Sequence, residues 1–256
     1  MRLVDSHSHF DAPEFDVDRV AAHACAIAAG VIAQVVPAIE AAGWPKLKTV
    51  CAGLPGLYPA YGLHPMYLHG HRRSHLDDLA QWIEREGPVA VGECGLDYFV
   101  DGLDHQEQQV YFDGQLRLAR EFELPVIVHA RRAVDAVIAS LRKIGGLRGV
   151  VHSFSGSAEQ AAHLHKLGFL LGIGGPVTYE RANRLRGIVA AMPLEQLLLE
   201  TDSPDQPGAG HRGERNEPAY LVKVLDVVAG LRNMPPDALA ETTTASAKRL
   251  FGLPDL

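Results

Sequence analysis

Short apolar, β-branched runs alternate along the whole chain with longer stretches whose apolar positions recur at helical spacing. The short runs are Leu3–Val4, Val31 to Pro37, Leu57 to Leu63, Val89 to Gly92, Pro125 to Val128, Gly149 to Val151, Phe169 to Ile173 and Gln196 to Leu199. They are near-continuously apolar, as strands covered on both faces are. Between them the spacing predicts helices over Asp16 to Ala29, Ala41 to Ala52, Leu76 to Arg85, Gln106 to Glu121, Ala133 to Ile144, Ala158 to Leu167 and Asn183 to Ala191. Val17, Val20, Ala24 and Ile27 set the spacing of the first, while Gly43 and Pro45 interrupt the start of the second. After a Pro/Gly-rich loop, helices over Pro218 to Leu231 and Ala238 to Phe251 finish the chain.

No linker or composition break divides this alternation, which specifies an α/β protein with a parallel sheet, either doubly wound or closed. The polar residues choose between the two. His7, His9, His64, Glu93, His129, His152 and Asp202 each stand at or just past the C-terminal end of a predicted strand. A closed (β/α)8 barrel brings those ends to one mouth, whereas an open sheet would keep its first and eighth strands apart. Any one of these residues alone is more often a solvated or satisfied side chain than a ligand. Their shared position on six strands predicts a TIM (β/α)8 barrel, one domain over residues 1–256.

The length of 256 residues suits such a barrel, and 47% hydrophobic residues can fill its core. A net charge of -7 argues against a broad basic face that coats nucleic acid. Cys25, Cys51 and Cys94 lack CxxC spacing, so free thiols in a reducing cytoplasm are expected. The start of the chain has no apolar signal-like core and no run reaches membrane-spanning length, so no membrane association is expected.

In extended chain His7 and His9 share a face and can grip one cation. The other His-x-His pairs lack that context: His69 and His71 fall in a polar loop, and His163 and His165 in a helix. Four histidines (His7, His9, His129, His152) with Glu93 and Asp202 exceed the ligands of one tetrahedral zinc. They suit two divalent ions with a bridging carboxylate and a shared water. Imidazole favours zinc, cobalt, nickel or iron, and the oxygen ligands would accept magnesium or manganese.

These residues stand in an ordered series of motifs: Asp5-Ser-His-Ser-His, Gly62-Leu-His-Pro65, Gly92-Glu-Cys-Gly-Leu-Asp-Tyr98 and Pro125-Val-Ile-Val-His-Ala-Arg131. His152-Ser-Phe-Ser-Gly156, Leu199-Glu-Thr-Asp-Ser-Pro204, Arg215-Asn-Glu-Pro218 and Ala247-Lys-Arg-Leu-Phe251 continue it. Over nearly its whole length the chain resembles the TatD-type metal-dependent hydrolases, the TatD deoxyribonuclease family of the amidohydrolase-like barrels. The resemblance implies that His7, His9 and Asp202 hold one metal, that His129 and His152 hold a second, and that Glu93 bridges them. His64 and Arg131 would face the substrate's phosphate, with Asp202 taking the proton of the attacking water. It implies a phosphodiesterase, a 3'-5' deoxyribonuclease working at DNA ends, with DNA or a small phosphodiester as substrate and no obligate protein partner. Hydrolysis of an amide, lactone or acyl ester is the rival on the same barrel. A metal-binding scaffold without turnover is a third reading, opposed by the intact ligand set.

The loop after Asp202 (Asp205-Gln-Pro-Gly-Ala-Gly-His-Arg-Gly-Glu) departs from the family pattern. Arg215 beyond it is expected to bind the polymer, together with Arg132 and Arg212. Asp97 and Tyr98 are expected to orient Glu93 from behind. Cys94 is read as core filling, Gly172 to Gly175 as tight packing at the rim, and Ser153, Ser155 and Ser157 as strand-end and capping residues. His105, His163, His165 and His211 are read as surface histidines.

Overall fold

The computed structural model describes residues 1–255; Leu256, the last residue of the expected domain, lies outside them. Among the described residues eight strands form: β1 (Leu3–Asp5), β2 (Val31–Pro37), β3 (Leu57–Tyr61), β4 (Ala90–Asp97), β5 (Val126–Arg131), β6 (Gly149–Val151), β7 (Phe169–Ile173) and β8 (Leu197–Leu199). They lie side by side in sequence order, every neighbouring pair parallel. Past the ends of β1 and β8, Ser6 N–H donates to the Leu199 carbonyl at 3.0 Å and Asp202 N–H to that of His7 at 2.9 Å, closing the ring. The fold is a TIM barrel.

The outer layer consists of α1 (Arg19–Ala28), α2 (Trp44–Gly53), α3 (Ser74–Glu86), α4 (His105–Glu121), α5 (Val134–Ile144), α6 (Ala158–Lys166), α7 (Asn183–Ala191), α8 (Leu221–Arg232) and α9 (Pro236–Phe251). None is long and apolar enough to cross a membrane. The larger apolar cluster lies between helices and sheet; a second is built from one face of the strands. The second joins Val4, Val35, Ala60, Ile127, Val150 and Leu198 to Leu250 and Phe251 at the end of α9. The C-terminal helix thus plugs the lower end of the barrel, and the polar residues occupy the upper end.

Two local differences from the sequence reading have clear causes. Of the residues that set the apolar spacing, Val17 precedes α1 and is 93% exposed, and Val20 on α1 points outward, 72% exposed. The packed face is Ala22, His23 and Ala26, small enough for close approach, with His23 Nε2 placed 2.9 Å from the Pro55 carbonyl. Bulk comes instead from Phe15, in the turn Pro13–Phe15 that precedes the helix. The second difference is that β4 does not stop at Gly92 but runs eight residues, with its register against β5 shifted between Val91 and Cys94. Such a bulge re-aims the side chains around it. It also needs glycine: at Gly95, with φ +145°, a Cβ would sit 2.0 Å from the His129 carbonyl oxygen.

Candidate metal centre

Beyond β1 the chain stays extended, because Ser8 N–H donates to the Val35 carbonyl at 3.1 Å just as Ser6 N–H does to β8. Alternation then sends His7 and His9 inward, with their Nε2 atoms 3.3 Å apart. Both face Glu93 Oε2, at 3.2 and 3.3 Å, and Asp202 Oδ1, at 3.4 and 3.6 Å. The other oxygen, Glu93 Oε1, lies 2.8 Å from His152 Nε2, 2.9 Å from His64 Nε2 and 3.2 Å from His129 Nδ1. One carboxylate therefore presents a separate oxygen to each of two histidine sets.

Glu93 is 1% exposed, yet neither of its oxygens makes a contact of hydrogen-bond geometry. Ring nitrogens and carboxylate oxygens converge there at 2.8–3.6 Å. A buried anion left so is costly unless a cation completes it. Three overlapping groups have ligand atoms within 4.8 Å of one another: His7, His9 and Asp202; His7, Glu93 and His152; His64, Glu93 and His129. The mixed imidazole and carboxylate donors fit a divalent ion.

Partners behind the rings fix their tautomers. His9 Nδ1 is 3.2 Å from the Pro37 carbonyl, which can only accept, so in the neutral ring Nε2 has the lone pair. His129 Nε2 meets Asp97 Oδ2 at 2.8 Å, leaving Nδ1 to face the centre. Burial would raise the Asp97 carboxyl, but His129 and the N–H groups of Phe99 and Val100 outweigh it and hold it at about 2. Asp97 thus orients His129 and not Glu93, contrary to the sequence expectation, because the extension of β4 carries it past the bulge. Tyr98 turns away to stack on His105 at 4.0 Å.

His64 differs from these ligand rings. Its Nδ1 accepts the Met66 N–H at 3.2 Å, so in the neutral ring the hydrogen sits on Nε2. Burial pulls its pKa down to about 4 and keeps it neutral. This tautomer makes His64 a hydrogen-bond donor into the cleft, whereas His9 and His129, once neutral, turn a lone pair inward.

Two carboxylates that sequence reasoning left without a role support the centre from behind. Glu200, at the end of β8, accepts the Ser153 N–H at 2.5 Å and lies 3.8 Å from His152 Nδ1. At Gly172 a Cβ would fall 1.9 Å from Glu200 Oε2, so that glycine makes room for a carboxylate as well as packing the rim. Asp5 accepts N–H bonds from His7 and Thr201 at 3.2 and 3.0 Å and the Thr201 hydroxyl at 2.6 Å, tying β1 to β8. The sequence did carry a signal for both: acids beside the ligand motifs at strand ends.

The charges interlock. Burial works against protonation of His9 and His152, but the Glu93 carboxylate outweighs it and lifts them to about 9 and about 10. Burial likewise opposes ionisation of Glu93, yet His152, His64 and His7 hold it well below the carboxylate range. Asp202 goes the other way, raised chiefly by burial, with the Gln206 amide donating to its Oδ2.

A cleft of about 1290 Å³ opens above the centre, and Arg131 lines it with its guanidinium 3.7 Å above the Phe99 ring. Arg132 covers the same ring at 4.5 Å. Arg215 does not line this cleft. Its guanidinium makes two 2.8 Å bonds to Asp18, a third to Glu217, and lies 4.6 Å over Phe15. The expected substrate contact is instead a clamp between the 203–217 loop and the start of α1. His211 stacks on Tyr220 at 3.6 Å, and His105, His163 and His165 are exposed. Ser157 caps α6 through a capping box with Gln160. Cys94 is buried with its thiol pushed up by burial, and the three cysteines are free.

The profile described as "TatD related DNase" matches residues 4–252. The uncharacterized metal-dependent hydrolase YjjV of Escherichia coli K12 is 41% identical over 99% of both chains. The crystal structure of this TatD homologue superposes with a TM-score of 0.94, 40% identity and 99% of each chain covered. The 3'-5' ssDNA/RNA exonuclease TatD of Erwinia billingiae is 36% identical over 88% of this chain and 90% of its own. A shared barrel and near-complete coverage at about 40% identity lead to one assignment: the chain belongs to the TatD-related DNase family of metal-dependent hydrolases.

Proposed function

We propose that the chain is a phosphodiesterase that removes nucleotides from the ends of DNA strands in the 3'-to-5' sense, using two divalent ions bridged by Glu93. The observation that carries this reading is the division of Glu93, with Oε2 facing His7 and His9, and Oε1 facing His129 and His152. The 3'-5' polarity is taken from the name of the Erwinia billingiae relative. Zinc, magnesium or manganese would be accepted by this donor set. Three free thiols suit a reducing, cytoplasmic setting.

His7, His9 and Asp202 would hold one ion, and His129 and His152 the other. When bound, such ions polarise a phosphoryl oxygen and make a nearby water acidic. Asp202 is the residue to take that water's proton: Oδ2 is engaged by Gln206, while Oδ1 faces the centre. His64 offers its Nε2–H to an oxygen of the phosphate and, being neutral, keeps that hydrogen. Arg131 at the mouth balances charge that develops on the phosphoryl group.

Elemental analysis of purified protein, with degradation of single- and double-stranded linear DNA and of closed circular DNA, tests the reading. Divalent metal together with loss of linear ends before circles is expected. Turnover of simple esters or amides but not of bis-nitrophenyl phosphate would replace phosphodiester chemistry with acyl transfer. Asp202→Asn sharpens the mechanism: an amide can coordinate weakly but cannot accept the proton, so turnover should fall by roughly 10²–10⁴ with part of the metal retained.

A further inference from the structure

The cleft is electrically two-sided. In a barrel of this strand order the loops after β5, β6 and β7 face those after β1 and β2 across the mouth. Arg131 ends β5, Arg181 lies between β7 and α7, and Arg184 is in the first turn of α7; all three line the cleft. All three are exposed, and among the described residues no carboxylate lies within 4.0 Å of any of them. Neutral groups hold them instead: Arg184 donates to the Ser155 carbonyl at 2.7 Å, Arg181 lies 5.5 Å over Tyr179, and Arg131 rests on Phe99, itself 43% exposed. The facing wall carries Asp11, Glu14 and Glu40, continued by Asp205 after β8. Its one cation, Lys46, is 2.8 Å from Asp16.

Three guanidiniums without a carboxylate partner stand together on one wall of the cleft in a chain with net charge -7, a local concentration of positive charge that attracts an anionic ligand. Stacking on Phe99 or donation to a carbonyl still leaves N–H edges free for phosphate. Building on the phosphodiesterase reading, we infer that Arg131, Arg184 and Arg181 form the track of a single nucleic-acid strand. The strand beyond the scissile phosphate leaves the metal centre over the β5–β7 loops, and the acidic wall repels it from the β1–β2 side. The track spans few phosphates, so binding is weak, insensitive to base sequence and only moderately dependent on salt.

The test is fluorescence anisotropy of a labelled, phosphorothioate-linked oligothymidylate that resists cleavage, titrated with the full-length protein at several salt concentrations. Three neutralised phosphates on a single strand give a log–log salt slope of about -2. R181E/R184E is expected to weaken binding at least tenfold and to flatten the slope by about 1.4, in proportion to two lost contacts. R181Q/R184Q, the milder variant, should shift both in the same direction by less. R142E/R148E makes the same change in net charge at the opposite end of the barrel and should bind like the wild type. Unchanged binding by R181E/R184E, or equal weakening by R142E/R148E, overturns the track. Wild-type protein that binds through this wall but turns over no phosphodiester would refute the phosphodiesterase reading while upholding the track.

Discussion

The two ends of the barrel solve opposite problems with the same strands. At the lower end, Val4, Ala33, Ile127 and Leu198 pack against Leu250 and Phe251 in an apolar cluster. At the upper end the same strands deliver Asp5, His7, Glu93, His152 and Glu200, buried as deeply but ionisable, with Glu93 and His152 favouring their charged forms. Burial of apolar surface stabilises the first layer. In the second it penalises charge, and Glu93 keeps two oxygens without a hydrogen bond. The difference teaches that stability and chemistry are separated along the barrel axis: the lower layer and the helices hold the fold, so the upper layer can remain electrostatically incomplete until cations bind.

That separation can be broken from either side. The largest effect is expected from Glu93→Ala, which removes the group facing both histidine sets. Metal content should collapse and turnover fall by at least about 10³, with the circular dichroism of the wild type kept. Loss of folded structure in this variant would mean that the upper layer also holds the fold. From the other side, Phe251→Ala empties the lower plug and should cost about 3–5 kcal/mol of stability. Denaturant unfolding followed by metal analysis of the folded fraction checks it, and full occupancy is expected there.

Smaller effects sharpen the picture. Asp97→Asn loosens the orientation of His129 without removing a ligand, and metal affinity should fall about 10- to 100-fold. A competition titration against a chelator measures this, and His64→Ala provides the contrast, with metal retained and turnover lost. Equal metal loss in His64→Ala would place His64 among the ligands. The smallest effect belongs to Asp18→Asn, which opens the exposed clamp on Arg215. Arg215 holds the Asp18 carboxyl below its usual value, so the clamp contributes at neutral pH and is lost as acid protonates the aspartate. A melting point lowered by roughly a degree or two at pH 7, with the gap to wild type closing in acid, is expected.

The barrel and the clustering of the candidate ligands were legible in the sequence for one reason: each candidate ends an apolar run, and a parallel barrel gathers such ends. What stood behind the ligands was much less legible, because it comes from distant pairing. Asp97 reaches His129 through a register shift in β4 that no local pattern announces. Glu200 needs Gly172 on the adjacent strand to make room. Arg215 read as a free cation because its partner Asp18 lies 197 residues earlier. The outer face of α1 misled for another reason: apolar spacing reports a helix, but small Ala22 and Ala26 sit closer to the barrel than Val17 and Val20 could.

The central claim is that Glu93 divides two ligand sets, and calorimetric titration of the EDTA-stripped chain with zinc tests it most directly. Binding requires neutral imidazoles, and His9 and His152 are held protonated to about 9 and about 10 without metal. Loading near neutral pH should therefore release protons, and affinity should rise with pH. The account predicts two ions per chain, proton release visible as a dependence on buffer ionisation enthalpy, and unchanged circular dichroism throughout. A single ion per chain, bound equally well by His129→Ala, would contradict it.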